Sequence, residues 1–146
     1  MITIDDRNAF IKKMNLSNNV NNLIFAKTIF KVADGNVNLL DDIANVILNR
    51  FFYEYDIDNE ITFIKCITDV SLFECWKDFK SMDLIDLNSD FFQKCFAVAK
   101  KALMGKLVDN TFSSIKLRKK SELPSWAIGL KFVKMVDDYL FYNNCA

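Results

Sequence analysis

Gly105 divides this chain into two textures. Before it, apolar residues recur at helical spacing; after it, they alternate along short runs as in strands. Leu23, Ile24, Ala26, Ile29, Phe30 and Ala33 form one helical stripe, and Asp34-Gly35-Asn36 ends it with a glycine available for a left-handed cap. Asn38 is placed to cap the next helix. Its apolar face is Leu39, Leu40, Ile43, Ala44, Ile47 and Phe51, and its first turn holds Asp41 and Asp42, where the helix dipole favours carboxylates. Residues 1–22 read as a short helix followed by an Asn-rich turn over 15–22, and residues 61–68 as a third, short helix. Residues 70–87 show no period and read as an irregular excursion. Ser89 opens the clearest helix, with Phe92, Cys95, Phe96, Ala99, Ala102 and Leu103 along one side. Beyond Gly105, residues 111–119 alternate like a strand. Residues 131–136 and 139–142 then flank Asp137-Asp138, a two-residue hairpin turn. The pattern predicts one α+β domain over residues 1–146, a helical lobe followed by a small antiparallel C-terminal sheet.

Fourteen Phe and an apolar fraction of 51% supply a core that needs no cross-links. Cys66, Cys75, Cys95 and Cys145 contain no C-x-x-C pair, so they read as reduced, mostly buried thiols rather than as a zinc site or a disulfide framework. The absence of His removes the commonest general base and metal ligand; no metal and no cofactor are expected. Lys+Arg and Asp+Glu number 19 each, so no global field draws the chain to nucleic acid. Charges follow Met1 at once, with no apolar signal region. No run approaches the roughly 20 apolar residues of a membrane span. The expectation is a cytoplasmic chain by default, with export lacking a cleaved signal left open.

Three segments together resemble the cell-wall hydrolase family of the spore cortex-lytic type, over about residues 23–142. The first is Ala26-Lys-Thr-Ile-Phe-Lys-Val-Ala-Asp-Gly35 with Ala44-Asn-Val-Ile-Leu-Asn-Arg50, similar to A-x-x-(I/V)-Y-G-E-A-R-G and A-x-V-(I/V)-L-N-R. The second is Leu72-Phe-Glu-Cys-Trp76, similar to Q-F-S-C-W. The third holds the helix end A-x-x-A-L-x-G from Ala99 to Gly105, Asp109-Asn-Thr-Phe-Ser-Ser-Ile-Lys-Leu-Arg118, Pro124-Ser-Trp-Ala127 and Val136-Asp-Asp-Tyr-Leu-Phe-Tyr142. These are similar to D-P-T-x-G-A-T-H-Y-H, P-x-W-A and I-G-x-H-x-F-Y. The resemblance implies a lysozyme-like helical lobe and cleavage of the peptidoglycan glycan strand, often as a lytic transglycosylase, with one Glu as acid and base.

The departures fall where that chemistry would sit. The catalytic Glu answers to Val32, which carries no proton. The preceding Gly answers to Lys31, the Gln to Leu72, two His to Lys116 and Arg118, the Tyr between them to Leu117, and the last His to Tyr139. Asn49, Arg50, Phe73, Cys75, Trp76, Pro124, Trp126, Phe141 and Tyr142 keep the pattern, and most read as core or structural hydrogen bonders. The resemblance thus implies a catalytically inactive homologue with a binding groove that includes Lys31, Leu72, Trp76, Lys116, Arg118 and Tyr139. Its partner would be a peptidoglycan fragment or another protein.

An active enzyme with a relocated acid is the alternative. Glu74 is the first substitute, being a new carboxyl in the segment that would border the groove. Asp34 is the second, although two helical positions turn it about 200° from Val32. Alternation places Lys116, Arg118 and Lys120 on one strand face, either solvated or binding an anion. Trp126 reads as core, and Trp76 stands between core and groove lip. Cys75 has no His to activate it as a nucleophile.

Overall fold

The computed structural model describes residues 4–144, with side chains described from Asp6 onward. Cys145 and the start of the chain, Met1 to Thr3, lie outside them. The architecture is α+β. Six helices, α1 (Ile4–Met14), α2 (Asn19–Ala33), α3 (Leu40–Ile57), α4 (Phe63–Ile67), α5 (Phe79–Asp83) and α6 (Asp90–Leu103), precede a sheet of β1 (Lys116–Lys119), β2 (Lys131–Val136) and β3 (Tyr139–Asn143).

The predicted stripes meet in one core. α2 packs along α6, and α3 lies against both. Phe25, Ile29, Ile43, Ile47, Phe51, Phe92 and Cys95 are almost wholly excluded from water there. α3 is buried on nearly every side from Leu40 to Leu48, with only Asp41 exposed in that run.

Several boundaries differ from the sequence reading, each for a local reason. The Asn-rich stretch is mostly helix: Asn18 accepts from the Asn21 amide as N-cap, and α2 begins at Asn19. Asn21 is held inside that helix because its side-chain amide donates to the Leu16 carbonyl. Asn36, not Asn38, caps the 3-10 turn Val37–Leu39 that leads into α3. The left-handed end of α2 falls on Asp34 (φ 48°) as well as Gly35. Thr62 caps α4, so that helix is shorter than residues 61–68.

The strand expected over 111–119 begins only at Lys116. Asp109 is the reason. Its carboxylate accepts from the Thr111 amide (2.8 Å), the Thr111 hydroxyl (2.6 Å) and the Ser113 amide (3.2 Å). This folds residues 109–114 into a tight loop with Phe112 and Ser113 left-handed.

The sheet order is β1-β3-β2, both pairs antiparallel. The turn at Asp137 (φ 50°) closes the expected hairpin, and a register shift between Phe132 and Lys134 bends β2. Asn36 and Asn38 donate to the Asp137 carboxylate at 2.9 and 3.4 Å, and Lys134 reaches Asp42 at 3.2 Å, so the hairpin is fastened to the start of α3.

Gly105 has φ 72°, and a Cβ there would stand 2.5 Å from the Asn8 carbonyl oxygen. Only glycine allows both the left-handed stop and the close approach of α1.

Arg7 is 3% exposed and holds α1 to the rest. Its guanidinium donates to Asn49 (2.8 Å), Asn45 (2.9 Å) and the Leu107 carbonyl (3.2 Å), 3.7 Å from the Asp109 carboxylate. Asn49 in turn donates to Asp109 at 3.0 Å and to the Ser114 carbonyl at 3.0 Å. Removing the cation leaves a buried carboxylate without its counter-charge. Arg7→Met is expected to lower stability by about 3 kcal/mol, read as a drop in the urea midpoint, with the same far-UV spectrum before the transition.

Candidate functional site

A cleft of about 700 Å³ runs between the helical lobe and the edge strand β1. Its floor is apolar. Ile43, Val46, Ile47 and Arg50 share one face of α3, at helical spacing, and Val32 joins them from the last turn of α2. One wall is the irregular segment from Val70 to Lys77; the other is Ile115 to Lys119 with Tyr139, Glu122 and Trp126.

The structure brings most of the sequence-derived positions into this one cleft. Lys31, Val32, Leu72, Glu74, Lys116, Arg118 and Tyr139 all line it. Val32 is half-buried and packs against the core. Glu74 stands exposed at the start of the 3-10 turn Glu74–Lys77. Tyr139 is buried, and that desolvation raises the pKa of its phenol.

Three positions fall elsewhere. Asp34 is outside the cleft lining; as the left-handed cap of α2 its carboxylate is 75% exposed and lies 3.8 Å from Lys119. Trp76 belongs to the core: it is 5% exposed, and its indole N–H donates to the Thr28 hydroxyl at 2.9 Å. Trp126 corrects the opposite way. It was expected in the core, and instead lines the cleft half-buried, edge-on to Tyr142 with ring centroids 5.3 Å apart. Lys120 lies past the end of β1, exposed and outside the cleft.

The cleft is strongly cationic for a chain of zero net charge. Lys31, Arg50, Lys77, Lys116, Arg118 and Lys119 line it against Glu74 and Glu122. Arg50 is paired with Glu54 at 2.9 Å, and the Lys31 ammonium bonds the Ser81 hydroxyl. Lys116 sits over the Trp126 ring, 5.1 Å from its centroid. Burial lowers the Lys116 pKa, as does the nearby charge of Arg50, while Glu54 works the other way. The Arg118 guanidinium donates to the Tyr142 hydroxyl (2.9 Å) and to the carbonyls of Lys119 (3.4 Å), Lys120 (3.3 Å) and Glu122. Among the described residues neither Lys116 nor Arg118 is in an ion pair.

Lys77 and Glu122 carried no functional signal in the sequence, and Arg50 stood out only as a retained motif residue read as structural. Only the folding of α3, the 70–77 segment and the turn after β1 around one space makes them neighbours.

Cys66, Cys75 and Cys95 are free thiols. Burial pushes them up to about 12, 11 and 12 respectively, which opposes thiolate formation even at Cys75 in the cleft wall. No group of three or more His, Cys, Asp or Glu among the described residues could hold a metal ion, and no helix among them is long and apolar enough to cross a membrane.

No protein-family model, no curated protein and no solved structure matches this chain.

Two outcomes follow from this geometry. Thr28→Val keeps the shape but strands the buried Trp76 N–H; it is expected to cost about 2 kcal/mol in chemical denaturation. In the folded protein at pH 8, iodoacetamide is expected to leave Cys66, Cys75 and Cys95 unmodified in a peptide map, and to label them once urea is added.

Proposed function

We propose that this chain is a non-catalytic relative of peptidoglycan hydrolases whose groove now serves to bind. One observation carries the reading. Lys31, Val32, Leu72, Lys116, Arg118 and Tyr139, the positions at which the resemblance puts the family's groove chemistry, are scattered over more than a hundred residues and yet line one cleft. An accidental similarity of short motifs has no reason to converge in space. A second observation supports the frame: Asn49 of the A-x-V-I-L-N-R segment donates to Asp109, which answers to the Asp of D-P-T.

Val32 is the position from which a carboxyl would protonate a glycosidic oxygen, and its isopropyl group has no proton to give. The groove around it offers an apolar floor, cations and an indole, all of them means of binding. Its ligand is a peptidoglycan fragment or another protein.

Glu74 favours a second reading, because it is a carboxyl lining the same cleft. In that case the chain remains a glycan-cleaving enzyme whose acid has moved from α2 to the wall formed by residues 70–77.

Turbidity of a purified peptidoglycan suspension separates the two. The wild-type protein at micromolar concentration is expected to leave it unchanged, while Val32→Glu lowers it by restoring an acid to the floor. Lysis by the wild type overturns the binding reading, and its loss in Glu74→Gln then assigns the relocated acid.

A further inference from the structure

We infer that the cleft holds an organic anion, its carboxylate or phosphate group seated between Lys116 and Arg118 and its uncharged body lying on Trp126. This rests on the reading of the cleft as a binding groove; it does not depend on the resemblance to wall hydrolases.

The charge distribution is the first ground. A chain with equal numbers of acidic and basic residues lines one cleft with six cations and two carboxylates. After Arg50 and Lys119 are paired with Glu54 and Asp34 outside the lining, four cations still face Glu74 and Glu122. A low-dielectric floor under such a rim focuses positive potential into the cleft.

The state of the individual cations is the second ground. A merely solvated lysine or arginine on a strand points its head group into water and is held by nothing. Arg118 is instead fixed by the Tyr142 hydroxyl and three main-chain carbonyls, those of Lys119, Lys120 and Glu122, with its guanidinium carbon 5.7 Å from the Tyr142 ring centroid. All of these partners are neutral, so its charge is oriented but not cancelled. Lys116 is partly buried against Trp126 and likewise has no ion-pair partner among the described residues. The two lie two residues apart on β1, pairing with Tyr142 and Leu140 of β3, so they project from one face of the sheet about 7 Å apart along the strand. Both head groups can therefore reach one oxyanion placed between them. Partly desolvated cations without counter-charges are costly to the free protein, and an arriving anion relieves that cost through charge-assisted hydrogen bonds.

The third ground is what lies beside the charges. Trp126 and the apolar floor offer no partner to an inorganic ion but fit the ring or chain of a larger molecule.

The two tryptophans supply the readout. Their indole N–H signals in a 15N-correlated spectrum report separate places, Trp126 in the cleft and Trp76 in the core. Two acid and neutral pairs are titrated: N-acetylmuramic acid against N-acetylglucosamine, and glucose 6-phosphate against glucose. At least one acid is expected to move the Trp126 signal and leave Trp76 in place, with a dissociation constant about tenfold or more below that of its neutral counterpart. Added salt weakens the binding. Lys116→Gln and Arg118→Gln each weaken it about tenfold, whereas Lys100→Gln, on the exposed side of α6, does not.

Preference for the muramic acid supports both this inference and the wall-derived ligand. Preference for the sugar phosphate alone upholds the anion site and overturns the wall-derived ligand. If neither acid outbinds its neutral counterpart, or if Lys116→Gln binds as the wild type does, the inference fails. Lys116 makes no hydrogen bond through its head group among the described residues, so its variant carries the test even if Arg118→Gln disturbs the sheet.

Discussion

The buried Arg7 guanidinium is the interaction on which the rest of the structure depends. It gathers α1, the Asn45 and Asn49 side of α3, and the loop that starts at Leu107. A cation this deep is tolerated only with acceptors on several sides and a carboxylate close by. Asp109 fills that place while its other bonds fold residues 109–114. One electrostatic constraint thus fixes both the packing of the first helix and the position at which the chain can begin a strand.

The cleft is a consequence of the same arrangement. α3 turns Asn45 and Asn49 toward Arg7 and Asp109, and a different side, Ile43, Val46, Ile47 and Arg50, toward the cleft. Because the Asp109 loop is bonded to Asn49, Ile115 and β1 are delivered beside that second side. The hairpin tip is fastened at Asn36 and Asn38, which brings Tyr139 to the cleft and close to the end of α2. Groove and core are two sides of one helix, so the groove persists as long as the core does.

Among the positions singled out in the sequence, the lining of the cleft was more legible than its charge. The resemblance placed Val32, Leu72 and Tyr139 around a groove, and all three line the cleft. It placed the two tryptophans less well. Trp76 and Trp126 are alike in composition terms, large apolar rings in short motifs, and their fates depend on what reaches the indole N–H. Thr28, one turn before Val32 on α2, meets Trp76 in the core. Trp126 instead stands nearly perpendicular to the Tyr142 ring, lies under the Lys116 ammonium and lines the cleft.

What the sequence alone determined is whatever short-range periodicity and capping control: the helical stripes of α2, α3 and α6, the stop at Gly105, the Asp137 hairpin and the α+β order. Those features depend on neighbours within a few residues, whose spacing is written in the chain. The tertiary structure decided the late start of β1, the burial of Arg7, the opposite placements of Trp76 and Trp126, and the gathering of Arg50, Lys77 and Glu122 around one cleft. Each depends on partners far away in sequence, and a side chain's charge or ring does not encode which distant group will meet it.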